Sequence, residues 1–428
     1  MKHKFNRLLR ILGPGVITGA ADDDDSGIGT YIQTGAQFGL GQLWTALFML
    51  PFMMGVQECC ARIGMVTGKG IAAVVRTHYS KRILYGVVFL VVVANTINIG
   101  ADIGAMAAAT QLIIPVNFAL LTLFFTFTVL VLEIFTSYKF YSRLLKWLAL
   151  TLLAYPLTVL LVSQPWRELL RATFVPHFEL NFAFLFIITG VLGTTISPYM
   201  FFWQASEEVE EEREKHELNG SSRPSIGWAQ IKQLRIDNAL GMVASEIATW
   251  SIIVVGATVL NKNGITDIRT AADAAKALEP LVQTFPNAGF MAKTIFATGL
   301  VGLGLLAVPV LAGSAAYALS EAFGWKEGLY RKLKQAHGFY GVITLATLIG
   351  LMINFVGIDP VKALVYTAVI NGIVAVPLLF LIALIGRNKN IMGEYRNGWL
   401  SNLILWTTFI GMSTAAIALI FTLAQGGR

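Results

Sequence analysis

Charge is what this chain has least of. Only 13% of its 428 residues are Asp, Glu, Lys or Arg, where a soluble protein carries roughly 25%. With 55% of residues hydrophobic, that shortage excludes an ordinary soluble globule. Many apolar stretches reach the roughly 18 residues needed to cross a ~30 Å hydrocarbon core, so the composition reads as a polytopic membrane protein. Cysteine is nearly absent too. The two present, Cys59 and Cys60, are adjacent, which is not the CxxC-type spacing of a thiolate metal site; packing is their expected role. No cleavable signal peptide is expected either. The basic opening MKHKFNRLLR is followed by no short apolar core with a small-residue cleavage site.

The apolar pattern predicts eleven spans, at about 12–38, 41–63, 83–113, 116–135, 143–163, 181–206, 232–260, 287–322, 338–357, 360–386 and 399–424. With the N-terminus in the cytoplasm and the C-terminus outside, most of the 32 Lys and Arg fall on inner segments, as the positive-inside rule requires. The expected location is the cell's inner (plasma) membrane. The same bias explains the net charge of +7 with no nucleic-acid partner, and no obligate protein partner is indicated; the lipid bilayer is the surrounding. The charged run EEVEEEREKHELNGSSRPSIGW at 207–228 reads as a solvated helix end followed by a linker. The Ala-rich segment 265–285 reads as a helical outer loop able to cover the extracellular mouth.

Against this apolar background stands GAADDDDSGIG, residues 19–29, with Asp22, Asp23, Asp24 and Asp25 in succession inside span 1. One ionised carboxylate at the bilayer centre costs on the order of 2.5–3.5 kcal/mol on insertion scales. Four adjacent ones cannot all face lipid. Some must be protonated, hydrogen-bonded to loose backbone N–H groups, or compensated by a cation. A divalent ion held by carboxylate, carbonyl and hydroxyl oxygens with retained water suits the place. The alternative role is capping of the half-helix after the break, for which Asp25 and Asp23 are candidates. Span 6 is interrupted in turn by GTTISPYM at 193–200. Paired interruptions five helices apart point to an inverted-repeat transporter, a single domain over 1–428 with repeats at about 12–163 and 181–386 and an extra helix at 399–424. Non-helical backbone at that depth is tolerated only where it is buried or lines a wet cavity.

The run LGPG, eight residues, DDSG, then IGTYIQTGAQFG resembles the first helix of the NRAMP divalent-metal transporters, aligned without a gap. Span 6 and the span 8 stretch GLLAVPVLAGSAAYALSEAFGW extend the resemblance over most of the chain. It implies an all-α LeuT-type fold with eleven transmembrane helices, a 5+5 inverted repeat and alternating access around a site between broken helices 1 and 6. In the family the first break reads DPGN, and its Asp and Asn coordinate the metal. Carried across, the ligand Asp falls on Asp24, while Pro, Gly and Asn fall on Asp25, Ser26 and Gly27. The residue whose carbonyl can join the site falls on Ala21. Asp25, standing where related sequences often have proline, becomes a further candidate ligand.

The departures from the family carry the finer expectation. On span 6, Thr194 stands at the family's Ala, Ser197 at its metal-binding Met and Tyr199 at its His. A thioether favours transition metals and gives Mg²⁺ nothing, so Ser197 leaves an all-oxygen site; Gly27 removes a further ligand and its bulk. Mg²⁺ keeps several waters and suits a roomy site. Thr194 and Ser197 are either metal contacts or partners for the loosened backbone. On span 3, Asn98 and Ala101 stand at the family's proton-relaying acids, so the titratable chain is missing. Asp102 is one residue off register and reads as a packing carboxylate or a displaced relay. Glu246 in span 7 reads as an isolated buried acid. Asn371 in span 10 reads as a ligand when the outer gate closes, or as packing polarity between helices.

These substitutions resemble the NRAMP-related magnesium transporters. The expected function is transport of Mg²⁺, and also Mn²⁺, without obligatory proton coupling, the metal being substrate and no resident cofactor being expected. A conventional proton-coupled Mn²⁺/Fe²⁺ importer is the alternative. A Mg²⁺-dependent membrane prenyltransferase would need a second Asp-rich motif, and no other span has one; an enzyme is not expected.

Overall fold

A computed structural model describes residues 18–19, 21–136, 149–214 and 226–425. Every regular element in it is helical. Among the described residues eight helices are long and apolar enough to cross a membrane: span 2 (Trp44–Thr67), span 3 (Lys81–Gln111), span 4 (Phe118–Phe135), span 6 (broken, reaching Arg213), span 7 (Trp228–Asn263), span 8 (Ala288–Phe323), span 10 (Pro360–Arg387) and span 11 (Trp399–Ala424). Span 9, His337–Ile353, is a shorter apolar helix. Of span 5 the described part is a 3₁₀ turn at Ala149–Leu153 leading into Ala154–Leu161; its start lies outside the described residues. The expected spans are found within a few residues at the described ends, except that span 6, expected to end at 206, runs on to Arg213.

Local chemistry sets the ends. Ser80 and Asn117 cap spans 3 and 4 through their side-chain oxygens, and Asp359 accepts from the N–H groups of Val361 and Lys362 at the start of span 10. Each removes orphan donors at a helix N-terminus. Span 2 stops at Gly68, in the left-handed region at φ 63°, where glycine bears no Cβ penalty.

Spans 1 and 6 are broken, as expected. Residues 18, 19, 21 and 22 are helical, Asp23 and Asp24 are not, and a second helix runs Asp25–Phe38. In span 6, Phe182–Thr195 ends before Ile196 and Ser197, and Pro198–Glu214 resumes. Pro198 opens the second half because it has no N–H to leave unpaired, while it drives the residue before it out of the helical region.

With no hydrophobic force between helices in lipid, close packing at small residues must hold the bundle. A Cβ added at Gly193 would sit 2.0 Å from the Ala368 carbonyl oxygen and 2.2 Å from Gly372 N. Span 6 thus crosses span 10 backbone to backbone just ahead of its break. Gly35 and Gly256 bring the second half of span 1 equally close to span 7.

Span 2 also carries a buried charge network. Arg62 forms a two-pronged pair with Glu58, 2.9 Å on each arm, and donates to Asn397 Oδ1 at 2.7 Å and to the Tyr395 carbonyl. Arg235 at the start of span 7 completes it, 2.8 Å from Glu58. Cys59 and Cys60 are buried free thiols beside this network.

The sequence-based reading of the charged run at 207–228 is overturned. The charged extension of span 6 is not a solvated helix end, since Glu207, Glu208 and Glu212 are buried. The reason is docking. Glu210 accepts from the Tyr317 hydroxyl at 2.6 Å and from Leu329 N at 2.8 Å, and Arg213 lies over the Tyr330 ring, so span 8 and the following loop cover this helix. Residues 215–225 lie outside the described set. The Ala-rich loop is helical in short pieces, Ala271–Ala275 and Glu279–Val282. It sits on the outer part of span 1, where Gln33 exchanges hydrogen bonds with Ile268 N (2.9 Å) and the Thr266 carbonyl (3.2 Å).

Candidate metal centre

The four aspartates are fully buried and do not share one environment. Asp22 and Asp23 face span 7: Ser245 Oγ lies 3.4 Å from Asp22, and Thr249 Oγ1 donates to Asp23 at 3.1 Å. Glu246, between those two hydroxyl residues in sequence, lies within electrostatic reach of both aspartates. Asp25 turns to spans 3 and 8. Its Oδ2 would be 2.8 Å from a Cβ on Gly304, and Asp102 lies within reach of its charge. Among the described residues none of the four aspartates makes an ion pair, and no three His, Cys, Asp or Glu side chains converge as a metal cage would need.

Asp24 occupies the break itself. Its backbone is extended at φ −65°, ψ 179°, and it, rather than Asp25 or Asp23, caps the following helix. Oδ1 accepts from Gly27 N at 2.8 Å and from Ser26 Oγ at 2.6 Å. The sequence-based assignment of the cap to its neighbours is therefore corrected. The side chain one residue earlier is held by span 7, and the one after already lies in the first turn, so only Asp24 reaches the free N–H groups. That leaves Oδ2 pointing across the gap between spans 3 and 6, where Asn98 Nδ2 donates at 3.1 Å and the Tyr199 hydroxyl at 3.0 Å.

Tyr199 also lies 3.1 Å from the Ala21 carbonyl oxygen. A hydroxyl has one proton, so it serves one of these two acceptors well at a time. Ala21 O and Asp24 Oδ2 are together short of positive charge, the situation a cation corrects. Neighbouring oxygens remain available: Asn98 Oδ1 and Thr194 Oγ1 are buried with no hydrogen-bond partner. Thr194 Oγ1 lies 3.2 Å from where a Cβ on Gly27 would stand, so any larger residue at 27 would crowd the gap between the two breaks.

The structure thus brings Asp24, Ala21, Gly27 and Thr194 together. Ser197 lies in the same break but spends its proton on the carbonyls of Gly193 (2.9 Å) and Thr194 (2.7 Å), the backbone role set out above. Asn371 lies on span 10, buried beside the Gly372 crossing, with neither amide atom hydrogen-bonded. Asp25 is adjacent in sequence yet faces another helix pair. Tyr199 and Asn98 were read from sequence only as losses of the family's His and acid. Both are instead the hydrogen-bond donors to Asp24. The available signal was that each departure substitutes one polar side chain for another at a position the resemblance already places at the site.

The model of the natural resistance-associated macrophage protein-like (Nramp) family matches residues 15–422. The chain belongs to the Nramp family. Among curated Nramp relatives, a divalent metal cation transporter MntH of Klebsiella pneumoniae is 26% identical over 420 residues, covering 96% of this chain and 92% of that protein. One from Ralstonia nicotianae is 25% identical, covering 99% and 93%. The manganese transporter of Eremococcus coleocola superposes with a TM-score of 0.74 at 15% identity, covering 98% of this chain and 87% of that one. MhsT, solved with L-phenylalanine, superposes at 0.62 and 12% identity, over 96% and 97%. The fold is therefore the LeuT type, and this Nramp chain is a multi-pass membrane protein whose curated relatives are transporters rather than enzymes.

Proposed function

We propose that this protein is a secondary transporter of divalent metal cations, carrying Mg²⁺ and also Mn²⁺ by alternating access without obligatory proton coupling. The observation that carries the reading is the environment of Asp24 Oδ2: one carboxylate, one backbone carbonyl, one phenol and one amide, all hard or neutral groups. In the span 6 break Ser197 stands in place of a thioether, and the Met106 sulfur on span 3 lies on the Asp25 side, beside Gly304. Met200, the methionine next to Tyr199, belongs to an apolar cluster with spans 3 and 8. Hard oxygens with room for retained water suit Mg²⁺ and do not exclude Mn²⁺.

In this reading Asp24 supplies the anchoring charge and Ala21 its carbonyl. Asn98 turns its amide to offer Oδ1, Thr194 contributes a hydroxyl directly or through water, and Tyr199 steps back as the ion enters. Ser197 and Asn371 approach only if the breaks rearrange during the transport cycle, and Asp25 serves the neighbouring charge balance. The membrane potential drives entry by about 2.3 kcal/mol per charge per 100 mV, so a dication accumulates without a proton. The distribution of basic residues supports a cytoplasmic N-terminus.

The manganese and divalent-metal names of the relatives favour a second reading, a proton-coupled Mn²⁺ importer. Proteoliposomes separate the two. Mg²⁺ uptake with no change in internal pH is expected; metal-driven internal acidification, or failure to move Mg²⁺, would give the protein to the second reading. Calorimetric titration with Mg²⁺ and Mn²⁺ tests the site itself. Asp24→Ala is expected to abolish both isotherms, and an unchanged isotherm would remove Asp24 from the site.

A further inference from the structure

Between spans 2, 6 and 11 lies a cavity of about 290 Å³ that none of the four aspartates lines. Its walls are the side chains of span 2 from Trp44 to Phe52, the first half of span 6 from Phe184 to Ile196, and the side of span 11 carrying Gly411 and Ala415. The lining is mostly apolar, with Thr407, Thr408 and Thr414 on span 11 and Glu179 beside Phe178 as its polar members. The space is half open, and its lining offers water few of the two to four polar partners it needs. An apolar occupant suits it.

Span 11 indicates what. Its outer face exposes Leu403, Ile410, Ile417 and Phe421, so beside the cavity the protein meets bilayer hydrocarbon. Gly411 opens that wall: a Cβ built on it meets no atom within 4 Å. At the other end, the Trp44 indole donates to the His177 carbonyl at 3.1 Å and its ring meets Phe178 at 4.8 Å, an aromatic pair at one helix end of the kind found at the membrane–water interface. The space therefore runs from interfacial aromatics inward along an apolar wall that is continuous with the lipid-facing surface.

We propose that this cavity is a binding site for one acyl chain of a membrane glycerophospholipid, inserted beside span 11 until it reaches Leu192 and Ile196. Ile196 is the residue at which span 6 unwinds, at φ −121°, ψ 63°, and the Thr195 hydroxyl before it meets the Tyr31 hydroxyl at 3.0 Å. The bound chain therefore abuts the joint between the two halves of span 6, outside the ion's own surroundings.

The test is photolabelling of the full chain in phosphatidylglycerol/phosphatidylethanolamine vesicles containing a phospholipid with a diazirine near the end of one acyl chain, with adducts mapped by peptide mass spectrometry. Labelling of Leu192 and Ile196, which line the inner end of the cavity, is expected beside that of Ile410 and Ile417, which face bulk lipid. Gly411→Leu, which fills the space without a backbone clash, should lower the Ile196 adduct at least fivefold and leave Ile417 labelling unchanged. Adducts confined to Ile410 and Ile417 in the wild type would overturn the proposal, whether or not the variant folds. So would Ile196 labelling undiminished in a folded Gly411→Leu. Loss of Ile196 labelling in vesicles where the protein is dimeric would assign the groove to a second copy, and would overturn it equally.

Discussion

The hydroxyl of Tyr199 lies 3.0 Å from Asp24 Oδ2 and so closes the gap between the two broken helices from the span 6 side. The same hydroxyl is 3.1 Å from the Ala21 carbonyl. In the ion-free arrangement Tyr199 thus stands in for part of what a cation would supply.

Tyr199→Phe removes that proton while keeping the ring. Two buried acceptors then lose a donor, which costs the ion-free protein about 1–3 kcal/mol. If Tyr199 only holds the empty site, divalent binding should tighten by about tenfold, read by calorimetry with Mg²⁺ and Mn²⁺. Weaker binding would mean that the phenol oxygen is itself a ligand.

Asn98→Asp places a second carboxyl where the amide now donates to Asp24 at 3.1 Å. Two acids at that distance share a proton rather than both carrying charge. Metal uptake by this variant should depend more steeply on pH between 5 and 8 than that of the wild type, measured in proteoliposomes at matched membrane potential. Equal pH profiles would show that the loss of the acid at this position is not what sets proton dependence.

Gly193→Ala tests the crossing that positions the span 6 break. The new Cβ would meet backbone atoms at 2.0 and 2.2 Å, which no rotamer change can relieve. The cost should reach about 3 kcal/mol or more, the upper end for overpacking, and appear as a thermal midpoint several degrees lower in detergent. An unchanged midpoint would mean that spans 6 and 10 separate easily here.

Glu327, in the loop between spans 8 and 9, has its carboxyl pushed up to about 9 from the usual 4.5, first by burial and then by the charge of Glu321. The unfolded chain releases this proton near pH 4.5 and the folded one only near 9. The group's contribution to stability is thus full below 4.5 and is lost as pH rises towards 9. Glu327→Gln carries no such penalty. Its thermal midpoint should match the wild type near pH 4.5 and exceed it at pH 8.5; a constant offset at both would show that Glu327 is solvated.

Much of the architecture is legible in the residue order because a bilayer allows so few solutions. A spanning segment must pair its own backbone groups, so runs of apolar residues locate spans 2 to 4, 7, 8, 10 and 11 to within a few residues. The breaks at Asp24 and at Ile196–Ser197 are equally visible, since Gly, Ser, Pro and Asp at mid-membrane depth fit nothing else. The charged extension of span 6 was misread because its burial depends on Tyr317, Leu329 and Tyr330, more than 100 residues away. No local pattern of Glu and Arg encodes that contact.

The sequence by itself determined a helical membrane protein with two interrupted spans and an acid at the first interruption, because hydrophobic length and helix-breaking chemistry act locally. Only the tertiary structure decided that four consecutive aspartates part company: two towards span 7, one towards spans 3 and 8, and Asp24 across the gap to Asn98 and Tyr199. Successive side chains around a non-helical turn diverge, and what each one meets is set by the neighbouring helices rather than by its place in the chain.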